Sequence, residues 1–325
     1  MRSPILYELN TRPWLRELSE KAANPTTLAN VPESEFLDWK RLGFTHIWLM
    51  GVWTSGPLAR AEALKTSAPL GLPEADVAGS PYAIAQYRVP PALGGEEGLG
   101  IFRRRLHQHG LKLVLDFVPN HVGPDHPWVE EKPHLFVQTS REVPETFERA
   151  TGRSRLAYGK DPNFAAWTDT VQLDYRLPAT RAAMTELLQS IAKRCDGVRC
   201  DMAMLLLNDV FAKTWDRFPI ANQQPVAAEF WADAITAVKR DHPRFLFLAE
   251  AYWGLEVRLQ ALGFDYTYDK ELYDRLVARD APGTQRHLLG KPPESILHSA
   301  HFIENHDEPR IASILSLPEH RAAAL

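Results

Sequence analysis

The chain has 325 residues, 45% of them hydrophobic, and a formal net charge of −4, which is typical of a globular protein long enough for one large domain with an insertion. The mild acidity and the lack of a basic run argue against a nucleic-acid partner. The sequence shows no apolar stretch of signal-peptide or membrane-spanning length, so it predicts a cytoplasmic protein without a membrane partner. The oligomeric state stays open.

Short apolar runs alternate with helical patterns along the chain, which predicts βα units and a parallel sheet. Strands are expected near 5–9, 45–50, 112–117, 197–201, 245–250, 264–267 and 300–304, and helices near 33–42, 97–109, 179–194, 226–241, 254–262, 269–280 and 308–317. Two stretches interrupt the alternation. Residues 54–81 are predicted to form a long loop, and 122–171, rich in proline, charge and aromatic residues, is predicted to be functional or a small subdomain.

Four of the apolar runs carry charged side chains at or near their C-terminal ends. They are LVLDFVPNH (113–121), GVRCD (197–201), FLFLAE (245–250) and FIENHD (302–307). A charge at the end of a buried strand is costly unless it serves a site. The four strand ends therefore predict one polar pocket.

Two of these ends predict acid and base chemistry. Arg199 and Asp201 stand two residues apart on a strand, so their side chains project to the same side. A neighbouring guanidinium is expected to lower the pKa of Asp201 and keep it ionised, as a nucleophile requires. Glu250 ends an apolar run that should raise its pKa and keep it protonated near neutral pH, as a general acid requires. A purely structural Arg199 and Asp201 pair is the alternative.

Taken together and in this order, the four segments resemble the four conserved regions of the α-amylase family of glycoside hydrolases (glycoside hydrolase family 13). The resemblance implies a TIM-type (β/α)8 barrel of the α/β class, with 1–121 and 172–325 as the catalytic barrel and 122–171 as a small subdomain inserted after strand 3. Seven strands are counted and an eighth is not evident, so the barrel is expected to be incomplete at its C-terminal end. The C-terminal β-domain of the family is expected to be absent.

The resemblance also implies a role for each matching residue. Asp201 matches the nucleophile, Glu250 the acid/base residue and Asp307 a third carboxylate that favours the transition state, with helix capping as the alternative for Asp307. Substrate binding is implied for Tyr82, as a stacking platform, and for His121, Arg199, His306 and Arg310, whereas Asp116 is expected to support Arg199 without touching substrate. Tyr252 and Trp253 either line the leaving-group side or belong to the core.

The sequence departs from the family at Met204 and Leu205, where starch-cleaving members carry a Lys-His pair that contacts the leaving-group sugar and calcium. No cofactor is expected to be required, although Asn120 matches a residue that often ligates calcium. Cys195 and Cys200 are expected to stay unpaired, because an extended chain separates them by roughly 16 Å.

The expected function is that of a retaining α-glycosidase, which cleaves α-glucosidic bonds of maltooligosaccharides or related α-glucans through a covalent glycosyl-enzyme. Two alternatives remain at this point. One is an α-glucan transglycosylase of the same family, since the departure at Met204 and Leu205 also occurs in enzymes that transfer a glucosyl or maltosyl unit. The other is a glucan-binding relative that has lost catalysis.

Overall fold

A seven-stranded parallel sheet forms the centre of the molecule. The computed structural model describes residues 3–67, 74, 77–148, 154–220 and 228–324. In these residues each sheet strand is hydrogen-bonded to the strands that precede and follow it along the chain, as in a (β/α) barrel. The strands are β1 (Leu6–Asn10), β2 (His46–Met50), β3 (Lys112–Phe117), β4 (Gly197–Cys200), β5 (Leu246–Ala249), β6 (Tyr266–Tyr268) and β7 (Ser299–Ala300).

Helices follow the strands. They are Thr11–Ala22, Glu33–Arg41, Pro57–Ser67, Gly95–Gln108, Trp128–Glu131, Pro178–Ala192, Asn208–Thr214, Phe230–Asp241, Glu256–Ala261, Lys270–Val277, Ala281–Gly290, Pro293–Leu297, Ile311–Ile314 and Pro318–Ala324, with 3-10 turns at Pro91–Leu93, Pro133–Leu135 and Ala203–Leu206. In the part of the chain that the structure describes, no helix combines the length and the apolar character that a bilayer crossing needs.

The sheet buries side chains on both of its faces. Outward-facing residues of the strands, such as Ile47 and Leu115, belong to the large core shared with the helices. Inward-facing Trp48, Met50 and Val114 form a separate small cluster inside the sheet. Burial on both faces explains why the strands appear in the sequence as continuous apolar runs.

The segment after β3 forms a small sheet of its own. The pair His121–Val122 and Val171–Gln172 joins the two ends of the inserted segment in antiparallel register. Farther out, Arg155–Ala157 lies between Gln138–Thr139 and Thr146–Glu148 in a three-stranded antiparallel sheet. Residues 149–153 of this segment lie outside the described residues.

The last predicted elements were placed wrongly. The strand expected at 300–304 spans only Ser299–Ala300, and the chain is irregular from there to Arg310. Polar side chains compete with the sheet here, because Asn305 Oδ1 accepts hydrogen bonds from the backbone N–H groups of Asp307 and Glu308, both 3.0 Å away. The segment therefore turns and does not extend.

Three helix predictions also need correction. The helix expected at 308–317 is divided into Ile311–Ile314 and Pro318–Ala324, since proline excludes the helical conformation from the residue before it. The expected loop at 54–81 contains the helix Pro57–Ser67, and its residues 68–73 and 75–76 lie outside the described part. The helix expected at 226–241 begins at Phe230, and residues 226–227 lie outside the described part. The helix expected at 269–280 ends at Val277.

Candidate active site

The predicted site residues on or directly after β3, β4 and β5 lie at the C-terminal edge of the sheet. Asp116 and Arg199 stand opposite each other in the register of β3 and β4. Asp201 and Glu250 directly follow β4 and β5, and their backbone N–H groups donate to Phe117 O at 2.9 Å and Cys200 O at 3.0 Å. These bonds continue the sheet by one residue and fix where both carboxyl groups begin.

One guanidinium lies between the two carboxyl groups. Arg199 is 0% exposed, Asp201 5% and Glu250 4%. Arg199 Nη1 donates a hydrogen bond to Asp201 Oδ1 at 2.6 Å. Nη2 lies 2.7 Å from Glu250 Oε2, yet its N–H groups make no aligned hydrogen bond. Arg199 thus binds Asp201 through a directed bond and Glu250 through charge.

Aromatic rings enclose the same guanidinium. Its central carbon lies 5.4 Å from the ring centre of Trp48, 5.0 Å from that of Tyr82 and 5.8 Å from that of Tyr268. The faces of such rings attract a cation, and more strongly where water is excluded. The rings therefore favour a charged Arg199 in a site that buries it fully.

Burial governs the protonation of both carboxyl groups. It raises the pKa of Glu250, against the opposing charge of Arg199, in the direction that the apolar run 245–250 predicts. Burial also raises the pKa of Asp201, although Arg199 lowers it through charge and hydrogen bonding. The prediction of a lowered pKa for Asp201 was wrong. A side chain that is almost fully buried loses more hydration energy than one ion pair restores.

Glu250 has two further partners. The backbone N–H of Met202 donates to its Oε2 at 2.7 Å, and the hydroxyl of Tyr252 donates to its Oε1 at 2.8 Å. Met202 adopts the left-handed conformation, with φ of 42°, which is strained for a residue with a side chain. That conformation directs the N–H of the residue after Asp201 toward Glu250.

Asp116 is held by the neighbouring strand β2 and the turn after it. Its carboxylate accepts hydrogen bonds from Trp48 Nε1 at 3.0 Å and from the backbone N–H of Gly51 at 3.1 Å. Burial raises its pKa to about 7, with the charge of Arg199 acting in the opposite direction. Asp116 and Arg199 thus interact through charge across the register from β3 to β4.

His306, Asp307 and Tyr82 form a second cluster beside the arginine. His306 Nε2 lies 2.6 Å from the Tyr82 hydroxyl and 3.2 Å from Asp307 Oδ2. The Asp307 side chain is 49% exposed, and its charge acts on both Asp201 and Glu250. The helical turn that follows takes its cap from Glu304, whose Oε2 accepts from the Ile311 N–H at 2.7 Å. Asp307 therefore does not cap that turn.

The other predicted binding residues differ in their surroundings. His121 is buried, with its ring 5.3 Å from that of Trp167, and burial lowers its pKa to about 4, so it is neutral at pH 7. Arg310 has a 79% exposed side chain and pairs with Glu304 at 3.1 Å.

The structure separates the two aromatic residues after Glu250. Tyr252 packs against the core and hydrogen-bonds the acid. Trp253 is 44% exposed and adopts a φ of 65°, a strained conformation for a bulky residue. Core packing therefore does not account for Trp253. Met204 and Leu205 are buried in the turn Ala203–Leu206 and present no polar atom to the cleft.

The side chain of Asn120 is hydrogen-bonded to that of Gln172. Its side-chain oxygen accepts a hydrogen bond from Gln172 Nε2 at 3.0 Å, and its amide donates to Gln172 Oε1 at 3.2 Å. Both residues are buried. Among the described residues no group of three or more histidine, cysteine, aspartate or glutamate side chains could hold a metal ion. A calcium-ligating role for Asn120 therefore stays a prediction.

Several contributors to the site were missed from the sequence. Glu8 of β1 bonds His306, Tyr268 lies 3.4 Å from Arg199 Nε, and Trp48 holds Asp116. A charged residue inside the otherwise apolar run of β1 was a usable signal for Glu8. Tyr268 ends its strand as the catalytic residues end theirs, but a tyrosine at a strand end has no distinctive pattern.

The chain resembles known proteins along most of its length. The family model "Alpha amylase, catalytic domain" matches residues 35–272. Several relatives are named alpha-1,4-glucan:maltose-1-phosphate maltosyltransferase. The one of Bifidobacterium animalis subsp. lactis is 28% identical over 54% of this chain and 21% of the relative. The one of Myxococcus xanthus is 27% identical over 70% of this chain and 30% of the relative. A third, from Burkholderia pseudomallei, is 27% identical over 81% of this chain and 20% of the relative. The matched region is therefore less than a third of each relative.

Solved structures share the fold. An alpha-amylase from Lactobacillus plantarum superposes with a TM-score of 0.65 at 25% identity, covering 97% of this chain and 66% of that protein. An alpha-amylase from H. orenii superposes with a TM-score of 0.66 at 19% identity, covering 100% of this chain and 66% of that protein. The barrel predicted from the sequence is thus confirmed. Since the family model runs from the helix before β2 to the helix after β6, the chain belongs to the alpha-amylase family.

Proposed function

We propose that this protein acts on α-glucosidic bonds by transferring a glycosyl unit with retained configuration, through a covalent intermediate on Asp201. The observation that carries the proposal is the position of Arg199 between Asp201 and Glu250. Retaining glycosidic chemistry needs one ionised and one protonated carboxyl group on the two sides of the bond to be broken. A single cation between two buried carboxyl groups favours such a pair.

In the first step, an oxygen of Asp201 attacks the anomeric carbon of the donor sugar. The bond from that carbon to the leaving oxygen breaks, and Glu250 gives its proton to the leaving oxygen. In the second step Glu250, now a carboxylate, takes the proton of an incoming hydroxyl group whose oxygen displaces Asp201. The acceptor alone decides the outcome, because water gives hydrolysis and a sugar hydroxyl gives transfer.

Transfer to a sugar is favoured over hydrolysis, which was the first expectation from the sequence. Relatives that match 54% to 81% of this chain are named maltosyltransferases. Met204 and Leu205 also provide no polar side chain where starch-cleaving members place a Lys-His pair. Both observations support the transglycosylase alternative.

Proton NMR tests the proposal. The protein is incubated with maltoheptaose alone and with maltoheptaose plus maltose 1-phosphate, the compound that the relatives' name contains. Products longer than the substrate, with α-anomeric linkages, are expected. Shorter products with new α-anomer ends would assign hydrolysis. An unchanged spectrum in both mixtures, from protein folded by circular dichroism, would refute catalysis on these glucans, and Asp201→Asn serves as the matched inactive control.

A further inference from the structure

Glu8 connects the first strand of the sheet to the loop after the last strand. It stands opposite Trp48 in the register of β1 and β2, on the face that points into the sheet. Its Oε1 lies 2.6 Å from Nδ1 of His306. The Glu8 side chain is 19% exposed and that of His306 14%, so the contact is made largely away from water.

The contact determines the proton positions on His306. An ionised carboxylate only accepts hydrogen bonds, so Nδ1 must carry a proton to donate to Glu8. On the opposite side of the ring, Nε2 faces Asp307 Oδ2 at 3.2 Å and the Tyr82 hydroxyl at 2.6 Å. A carboxylate at each nitrogen favours the ring with both nitrogens protonated.

Charged groups of several neighbouring elements act on the ring of His306. Burial lowers the pKa of His306, but the hydrogen bond and charge of Glu8 together with the charge of Asp307 outweigh burial and the charge of Arg199, so the pKa lies above its ordinary value. Asp307 acts in the same direction as Glu8, and Arg199 acts against it. The facing groups are Glu8 of β1, Tyr82 of the loop before the strand Ile84–Gln86, Asp116 of β3, Arg199 of β4, Asp201 directly after β4, and Asp307 of the ring's own loop.

We propose that Glu8 is a positioning residue, which fixes the ring of His306 through Nδ1 and keeps Nε2 protonated as a hydrogen-bond donor at the sugar-binding side of the cleft. The inference rests on the proposed function. Glu8 itself touches no reacting atom and acts through His306. Its position on β1, the strand farthest along the chain from residue 306, makes the geometry of the site depend on both edges of the sheet.

Two substitutions separate the charge of Glu8 from its position. Glu8→Gln keeps an oxygen that accepts from Nδ1 but removes the charge, and Glu8→Ala removes both. Glu17→Gln is the matched control, since Glu17 lies on the helix that follows β1, is 61% exposed and pairs only with Lys21 among the described ion pairs. The protonation of His306 is followed by NMR of its Cε1–H, assigned by comparison with His306→Gln.

In Glu8→Gln the midpoint of the His306 titration is expected to fall by about one pH unit or more. The alkaline limb of kcat/KM for glycosyl transfer should move by the same amount, and activity at low pH should stay close to that of the unaltered protein. Glu8→Ala should lose about tenfold or more in kcat/KM at every pH, because one charge-assisted hydrogen bond is no longer positioned. Glu17→Gln should change neither readout.

Two results would overturn the inference. One is a His306 titration in Glu8→Gln that coincides with that of the unaltered protein. The other is a shifted titration with an unmoved alkaline limb, which would leave Glu8 a structural residue only. Lack of turnover in the unaltered protein would instead reject the proposed function, and the NMR titration would still decide whether Glu8 controls the ring. Glu8→Gln alone suffices if Glu8→Ala does not fold.

Discussion

The Arg199→Met substitution removes the cation that lies between two buried carboxyl groups. Removing one partner of a buried ion pair typically costs about 3–5 kcal/mol, because the remaining charge is left without water or counter-charge. Arg199 contacts both Asp201 and Glu250, at 2.6 and 2.7 Å. We therefore expect the free energy of unfolding to fall by about 5 kcal/mol at pH 8, the upper end of that range.

The loss should depend on pH in a defined direction. Burial already raises the pKa of Asp201 and Glu250 in the folded protein, and Arg199 opposes that rise. Without Arg199 the pKa values of Asp201 and Glu250 should rise further. Below about pH 4 both groups are protonated in the folded and unfolded chains, so the variant loses little there, and the loss grows as pH rises through the folded values. Each added unit of pKa shift corresponds to about 1.4 kcal/mol.

Urea unfolding at pH 5 and pH 8, followed by tryptophan fluorescence, measures this difference. Arg258→Met is the matched control, because Arg258 pairs with Asp209 at the surface, with side chains 43% and 65% exposed, and should cost less than about 1 kcal/mol at either pH. The triple variant Arg199→Met, Asp201→Asn, Glu250→Gln should regain most of the lost stability. The reasoning would be refuted if Arg199→Met lost the same free energy of unfolding at both pH values, or lost less than about 1 kcal/mol at pH 8.

Three further predictions concern other parts of the molecule. Asp201→Asn should lower glycosyl transfer by about 10⁴-fold or more with an unchanged circular dichroism spectrum, and near-normal turnover would remove Asp201 from the nucleophile role. Gln172→Ala should lower the unfolding free energy by about 3 kcal/mol, because it leaves buried amide groups unpaired. EDTA should leave the Tm of the unaltered protein unchanged, because no cofactor is expected to be required, and a Tm drop in EDTA would contradict that expectation. Although burial raises the pKa of Asp269, hydrogen bonds from His301 and His287 hold it below its usual range. Asp269→Asn should therefore destabilise the fold near pH 7, and the effect should shrink gradually as pH falls below the unfolded value of about 4 and vanish only below the lowered folded pKa; an effect that is as large at pH 2 as at pH 7 would argue against the ion pairs.

The strands and the carboxyl pair were predictable because both follow local rules. A strand buried on both faces needs a largely apolar run, and such a run appears at each of β1 to β5, interrupted by Glu8 in β1, Asp116 in β3 and Arg199 in β4. Charged residues directly after such runs have few explanations other than a site. Asp201 and Glu250 could therefore be named before their distance to Arg199 was known.

The end of the chain could not be predicted in the same way, because tertiary contacts decide its structure. The run 300–304 has strand-like composition, yet only Ser299–Ala300 pair with β6. Beyond them the backbone is held by the side chains of Asn305 and Glu304. Side-chain bonds of this kind depend on rotamers and neighbours that periodicity does not encode.

The direction of the Asp201 pKa was missed for a related reason. Sequence spacing indicates that a guanidinium is near, but it does not report how completely both groups leave water. A coupled pair of this kind shares its protons, so the useful question is which group loses its proton first. The directed hydrogen bond from Arg199 Nη1 stabilises the carboxylate of Asp201, whereas Arg199 Nη2 makes no aligned bond to Glu250.

Two contacts allow Glu250 to exist in both protonation states. The Tyr252 hydroxyl can donate to the carboxylate or accept from the protonated acid, since a hydroxyl group does either. The Met202 N–H can only donate, and it binds Oε2, which leaves Oε1 as the oxygen that carries the proton toward Tyr252 or the substrate. Because Met202 follows Asp201 directly, the strained turn that places the nucleophile also orients the acid. The geometry of β4 therefore controls both catalytic groups at once, and a change at residue 202 should disturb the acid as well as the nucleophile.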